Sequence, residues 1–525
     1  MAIHSFKKSP IILIFGVVCT TLFLFLHLWS PRFIEENVEG AFLDYRFKVR
    51  NLLKKPAVPE NIVIVEIDEK SLDRYGRWPW NRALQARLID KIMKGRPSVL
   101  SVDIFYPEHE NKKADATLSK TLKKAKGRIV LAAGFDIEKE TDQNTPDYLL
   151  DNAITDIKDQ SRLKKAVIVT KRKTSIPVLS SNAVLGHVFS PSDMDGKLRW
   201  ECLYVKYGDD LYPSLSLMAA ARSLNKDVSA LTVYAGRGVM LGDTFIPTDA
   251  SGRMRINYLG PDRTFQYISA ADVLSAQVNP SVFNDKIVFL GTSAISTFDF
   301  AVTPFSARMP AVEKNATAAA NVLGKGFIID TPVTIVSLFI LVTGLALTII
   351  FIRFRALTAL STAMLLIVLF FAGNTYLFTY QGRYINFVYP FFNMALISVF
   401  SGSYKYLTEE RRARELKTMF SRYVSPKIVH ELIEHPEMAK LGGYRREVTV
   451  LFSDVRGFTT FSERRQPEEV VSHLNEYLQE MTDIIFKWEG TLDKFVGDEI
   501  MAFWGAPLEQ PNHAELAVKC ALNMS

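Results

Sequence analysis

The chain has 525 residues, with 48% hydrophobic and 23% charged residues and a mean hydropathy of +0.07. That is too long for one ordinary core and too apolar for evenly mixed sequence, so several domains and concentrated apolar blocks are expected. The formal charge of +7 does not indicate nucleic acid, because the basic residues sit at the ends of apolar segments and form no stripe interleaved with aromatics.

After the short basic stretch 1–9, with Lys7 and Lys8, residues 10–29 (PIILIFGVVCTTLFLFLHLW) carry no charge over the length needed to span hydrocarbon. No small-x-small cleavage site follows, so this segment reads as a retained signal anchor. Three further spans are expected at 333–352, 356–378 and 384–404, the first two separated by Arg353 and Arg355. The charge pattern, which includes Arg411, Arg412 and Arg414, gives one consistent topology. The N-terminus is inside, residues 30–332 are outside, the 353–355 turn is inside, the 379–383 turn is outside, and everything after 405 is cytoplasmic. Cys19, Cys202 and Cys520 lie in three different segments, which argues against a disulfide framework, and no zinc spacing occurs.

Residues 30–332 carry the signals of a mixed α/β domain. Strand-like runs at 61–68 (NIVIVEID) and 98–105 (SVLSVDIF) flank a helical pattern at 81–94, which predicts a β–α–β unit. Further strands are expected at 128–133, 165–170 and 286–290, and 112–162 reads as a solvated insertion. Asp68 and Asp103 end strands, where a carboxylate either caps the next turn or binds a ligand, capping being the commoner use. Trp78 and Trp80 around Pro79 read as a packing corner. The runs EIDEKSLDRYGRWPWNR, DMDGKLRW (193–200) and FLGTSAISTFDFAVTPFSARMPAVEKNA (289–316) resemble the CHASE type two family of extracellular sensor domains over about residues 38–326. The resemblance implies a sensor with one membrane helix before it and three after it, and an extracytoplasmic ligand of unknown identity. Ala311 and Asn315 stand where the family pattern has Gly and His.

A linker at 405–446 follows. The stretch TEERRARELKTMFSRY is rich in helix formers, with Leu407, Ala413, Leu416 and Phe420 at spacings that suit either a two-helix seam or a solvated spacer. In SPKIVHELIEH, Ser425 is the expected N-cap and Pro426 the first helical residue.

The segment 447–525 holds the chemistry. TVLFSDVRGFTTF and TLDKFVGDEIMAFWG each bring an apolar strand to a turn bearing one carboxylate, Asp454 and Asp498. Two hard-oxygen turns, a Gly-containing loop entering a helix, and Lys494 four residues before the second Asp describe a magnesium–nucleotide site. The order β–α–β–β with a helix from near His513 is the opening of a ferredoxin-like α+β fold. FSDVRGFT and DKFVGDEIMAFWG resemble the two metal-binding motifs of class III nucleotide cyclases, which implies a homodimeric nucleotide cyclase; the charge pattern puts this segment on the cytoplasmic side, where ATP and magnesium are. The resemblance implies that Asp454, Asp498 and the Val455 carbonyl hold two Mg²⁺ ions, with Mn²⁺ as a substitute, and that Gly457, Phe458, Thr459 and Gly497 lie against the nucleotide. One ion would acidify the ribose 3′-hydroxyl and the other would neutralise departing pyrophosphate. Lys494 supplies a donor, which suits adenine N1 and not guanine N1, so adenylate is expected over guanylate cyclase.

The family's later residues, a second adenine contact and an Asn and Arg at the α-phosphate, have no counterpart before Ser525. The expectation is an incomplete cyclase domain, inactive or nearly so by itself, with a non-catalytic partner of a complete cyclase as the alternative. The fold class expected is a multidomain α/β membrane protein with an α/β sensor, four transmembrane helices and an α+β cyclase domain.

Overall fold

The computed structural model describes residues 10–125, 127–138, 145–420, 445–506 and 509–525, with backbone only at 409 and 412–420. Ser425 and Pro426, and the side chains of Ala413, Leu416 and Phe420, lie outside the described residues. The chain divides into two compact units, Met1–Val399 and Phe400–Ser525.

In the first unit, α1 (Pro10–Trp29) leads through a π-helical turn at Ile34–Glu39 into α2 (Gly40–Leu53). The α/β body then contains β1 (Ile62–Ile67), α3 (Arg82–Lys94), β2 (Val99–Val102), α4 (Lys112–Lys124), β3 (Ile129–Asp136), β4 (Lys171–Lys173), β5 (Val184–His187) and α5 (Leu215–Ser223). It closes with β6 (Gln266–Ser269), β7 (Ile287–Thr292) and α6 (Ala311–Leu323). The strands β6-β1-β7-β2-β3 run parallel in that order, with β5 parallel and β4 antiparallel to β3.

Side chains alternate across each strand, so a parallel sheet buried on both faces needs apolar residues at every position. β1 is buried at all six residues. Val63, Val65, Leu100 and Val288 pack with Leu88, Ile92, Leu118 and Leu122 of α3 and α4 on one face. Ile62, Ile64, Val99 and Phe289 pack with Leu217 and Met218 of α5 and Val312 and Ala316 of α6 on the other. The result is a three-layer sandwich.

Two expectations change. The strands of the predicted β–α–β unit form, but they are not neighbours: β7 lies between β1 and β2 and pairs with both. The stretch 112–162 is not a solvated insertion, because α4 buries Ala114, Leu118 and Leu122 and β3 is buried along seven of its eight residues. The apolar stripe of α4 is narrow and surrounded by lysines, which hides it in composition. The strand expected at 165–170 shrinks to Ile168–Val169. Asp68 does cap: its carboxylate accepts from the Ser71 amide at 2.9 Å and the Ser269 hydroxyl at 2.9 Å. Trp80 is buried and donates to the Gly76 carbonyl at 2.8 Å, with Trp78 edge-on at 5.9 Å, as a packing corner requires. Cys19, Cys202 and Cys520 are free thiols.

Among the described residues, three helices are long and apolar enough to cross a membrane: α1, α7 (Val333–Arg353) and α8 (Ala356–Gln381). The segment expected as a fourth span begins α9 (Val388–Phe420), which is not one of these three and continues into the charged stretch after residue 404, and Tyr384 pairs in a short strand with Asp330. α1 and α7 pack through reciprocal small residues. A Cβ on Gly16 would overlap Thr348, and one on Gly344 would overlap Thr20. Both threonines fold back onto their own helix, Thr20 to the Gly16 carbonyl at 2.7 Å and Thr348 to the Gly344 carbonyl at 2.8 Å. The hydroxyls are thus satisfied without solvent, and the backbones approach closely.

In the second unit, β8 (Thr449–Ser453), α10 (Phe458–Ser462), α11 (Pro467–Lys487), β9 (Thr491–Val496), β10 (Glu499–Trp504) and α12 (His513–Met524) follow in order. The sheet order is β8-β10-β9, with β10 antiparallel to both neighbours. β8 and β9 are therefore parallel strands split by β10, the opening of the expected ferredoxin-like fold. Ile500, Ala502 and Trp504 face inward onto Ile485 of α11 and Ala517 and Cys520 of α12.

The glycine contacts predict that Gly344→Leu overpacks the α1–α7 crossing and costs ~1–3 kcal/mol. Thermal unfolding in detergent should show a lowered midpoint for Gly344→Leu and little change for Gly373→Leu, since Gly373 has open space around it. Equal midpoints for the two variants would contradict the packing.

Candidate active site

The two acidic turns meet because of strand register. Ser453 pairs with Ile500, and Val496 pairs with Glu499 across the hairpin. One residue beyond Ser453 is Asp454, so it stands at the same end of the sheet as the Gly497-Asp498 turn, on adjacent strands. Gly497 has φ +67°, which makes a two-residue connection possible and leaves Asp498 at the tip. Asp454 is exposed and Asp498 half-buried.

The loop after Asp454 is held locally. The Asp454 carboxylate accepts from the Val455 amide at 3.1 Å, and the Val455 carbonyl accepts from the Phe458 amide at 3.2 Å. Gly457, at φ +80°, turns the chain into α10. The Phe458 amide is thus already committed, and the neighbouring amides of Gly457 and Thr459 are the better-placed donors for an anion at this helix start.

Lys494 sits in the row Phe452–Met501–Lys494 on the outer face of the sheet, with its ammonium 3.4 Å from the Asp493 carboxylate. Its direction depends on a β-bulge. Leu492 pairs with Ala502 while Lys494 pairs with Met501, so Asp493 is the extra residue. Strict alternation would send Leu492 and Lys494 to the same face; the bulge keeps Leu492 in the core and turns Lys494 outward.

A cavity of about 240 Å³ adjoins the loop, lined by Val455, Gly457, Phe458, Phe461, His473 and Tyr477. The last two were not expected. Their spacing of four on α11 marks one helical face, which is the sequence signal that could have found them. Arg465 stacks over Phe461 at 4.7 Å, and His473 meets the same ring edge-on at 6.0 Å.

The donor set suits Mg²⁺. Among the described residues no group of three or more His, Cys, Asp or Glu side chains is arranged to hold a metal ion. Asp454, Asp498 and the Val455 carbonyl offer only hard oxygens, few in number. Mg²⁺ is commonly held by one or two carboxylates and completes its shell from phosphate and water.

Comparison with known proteins agrees with both ends of the chain. A model of the CHASE2 domain matches residues 18–352, and a model of the adenylate and guanylate cyclase catalytic domain matches residues 443–525. Adenylate cyclase 1 of Rhizobium meliloti (strain 1021) is 40% identical over 111 residues, which is 21% of this chain and 17% of the relative. The adenylate cyclase of Anabaena cylindrica is 37% identical over 89 residues, covering 16% and 17%. The match therefore spans under a fifth of either curated relative. Among solved structures, the adenylyl cyclase CyaB from P. aeruginosa is 45% identical over 16% of this chain and 44% of that chain, with TM-score 0.16. The guanylyl cyclase Cya2 is 49% identical over 16% and 43%, also with TM-score 0.16.

The hairpin rests on a close approach: a Cβ on Gly490 would lie 2.6 Å from the Trp504 ring and 2.7 Å from Ile485. Gly490→Val is expected to displace Trp504 and release the β9–β10 register, read as loss of hydrogen-exchange protection at residues 491–504 with the first unit unchanged. Retained protection there would contradict this account of how the turn is held. With the sensor-type body and the two carboxylate turns both in place, the chain belongs to the CHASE2-domain family and carries a class III adenylate/guanylate cyclase catalytic domain at its C-terminal end.

Proposed function

We propose that the chain belongs to a membrane-bound adenylate cyclase that converts ATP to 3′,5′-cyclic AMP and pyrophosphate under control of an extracytoplasmic CHASE2 sensor. The observation that carries this reading is the register that sets Asp454 and Asp498 at one end of adjacent strands. Two Mg²⁺ ions, or Mn²⁺, held there with the Val455 carbonyl would lower the pKa of the ribose 3′-hydroxyl and offset charge on the departing pyrophosphate. The chain's own part is positioning. Gly457 and Thr459 amides receive phosphate oxygens at a helix start, and Gly497 lets the backbone come close.

Lys494 faces outward, where it serves the base pocket of a second copy of the chain. Support for a homodimer comes from the outer sheet face, where Val450, Phe452 and Val496 are exposed together. A lysine donor favours adenine over guanine, so ATP is the substrate preferred.

The membrane arrangement is four spans, with residues 1–9 and those after 405 cytoplasmic and residues 30–332 outside. α1, α7 and α8 supply three spans. The first half of α9 is the fourth, and its polar Asn393 supports this: it is fully buried and donates to the Ile340 carbonyl at 3.3 Å, so it faces other helices and not lipid.

Membranes carrying the gene product read through to its stop codon should form cyclic AMP from ATP with Mg²⁺ or Mn²⁺. Asp454→Ala and Asp498→Ala should each lower turnover at least about a hundredfold, on the scale of losing a transition-state charge contact. Full activity in Asp454→Ala would overturn the metal assignment. Lys494→Glu should shift preference from ATP toward GTP by about tenfold or more, the scale of one hydrogen-bond mismatch. Unchanged base selectivity would remove Lys494 from that role.

A further inference from the structure

We propose that the cavity at the carboxyl end of the sensor sheet is a binding site for a small primary alkylammonium compound. It stands apart from the cyclase reading, since binding is measured without turnover.

The cavity has a volume of about 970 Å³ and opens where β2 runs into Asp103 and β7 ends at Thr292. In open parallel sheets flanked by helices, the crevice beyond the carboxyl ends of the strands is where ligands bind. Its polar floor comes from three distant parts of the chain: Asp103, Asp299, and Lys314 with Asn315 on α6.

The floor is short of positive charge. Lys314 is spent on Glu201, its ammonium 2.9 Å from that buried carboxylate. Asp103 and Asp299 form no ion pair among the described residues. Asp103 accepts from the Asn315 amide nitrogen at 2.8 Å, and Asp299 accepts from the Thr292 hydroxyl at 3.2 Å. Burial pushes both carboxyls above the usual carboxylate range, and the charge of Asp299 raises Asp103 further; the Lys314 charge opposes this at both carboxyls without reversing it. The rim arginine, Arg82, is itself paired to Asp115.

The floor is also short of donors. Asn315 is 1% exposed, and with its nitrogen given to Asp103 its Oδ1 has no partner. A buried acceptor left in that state costs about 1–3 kcal/mol unless something donates to it. A primary ammonium brings one positive charge and three N–H donors, matching Asp103, Asp299 and Asn315 Oδ1. The walls suit the attached alkyl chain. Trp78 and Phe105 line the cavity, and Phe298 stands at its mouth, 88% exposed in the left-handed region at φ +54°. A bulky aromatic rarely adopts that conformation, and here it holds an apolar ring in solvent beside an acidic floor.

The test is isothermal titration of the purified full chain in detergent with n-butylammonium chloride and 1,4-diaminobutane, and with sodium butyrate, tetramethylammonium, glucose and Ca²⁺ as alternatives. Saturable binding of a primary amine at one site is expected, with quenching or enhancement of tryptophan fluorescence from Trp78 and Trp80. Asn315→Ala and Asp299→Asn should weaken it about tenfold or more, the scale of a lost hydrogen bond to a charged group. Phe298→Ser, at a side chain too exposed to support the fold, should weaken it about threefold or more, the low end of a cation–π contact. Absence of saturable amine binding would overturn the proposal. So would equal or tighter binding of any alternative, or an unchanged affinity in Phe298→Ser together with either floor variant.

Discussion

The antiparallel pairing of Ser453 with Ile500 is the constraint from which the catalytic end of the chain follows. Two carboxylates some forty residues apart in sequence become neighbours only if β10 lies between β8 and β9 in that register. A one-residue slip would move each side chain to the other face of the sheet. The register is fixed from below by Ile500, Ala502 and Trp504, which are fully buried, and by the Trp504 indole donating to the Trp488 carbonyl at 2.8 Å. The arrangement of the two acidic turns therefore depends on a hydrophobic face buried beneath the sheet.

In the first unit, one connected set of contacts joins the sensor body to the long apolar helices and the start of α9. α6 carries part of the cavity floor and is followed by Ile329 and Asp330, which pair with Arg383 and Tyr384 before α7 begins. Arg255 is clamped between the Trp200 and Tyr384 rings at 4.1 and 3.9 Å and paired to Asp330 at 2.7 Å. On the other side, the fully buried Glu39 accepts from the Phe387 and Val388 amides at 2.8 Å and from the Tyr384 hydroxyl at 3.0 Å, with Arg46 as its charge partner. It thereby caps the start of α9 from a different part of the chain. Arg199 adds a second tie, holding Asp44 of α2 together with Asp193 and Asp195 of the sensor body. Buried charges of this kind are costly to separate, so these joints favour defined positions over gradual deformation.

Local signals were the legible ones. The apolar runs that became β1, β2 and β7, the uncharged spans, and the two carboxylate motifs could all be read from neighbours in sequence. Sheet order could not, because nothing within 61–105 announces that residues 287–292 will insert between its strands. α4 was misread since three apolar residues among lysines look like solvated sequence until the sheet beneath them is known. Asp68 and Asp103 looked alike as strand-end carboxylates, yet one caps a helix and the other faces a cavity, a difference set by Ser71 in the first case and Asn315, more than two hundred residues away, in the second. The facing of Lys494 is not legible in sequence, because the bulge at Asp493 that aims it outward breaks the alternation on which strand reading relies.

The account turns on divalent cations bound between the two acidic turns. Crystals of the complete gene product grown with Mn²⁺ and a non-hydrolysable ATP analogue test this directly through anomalous scattering at the manganese edge. Two anomalous peaks within coordination distance of the Asp454 and Asp498 carboxylates, beside the analogue's phosphates, are the predicted result. Phosphates bound with no anomalous signal at those side chains would contradict it.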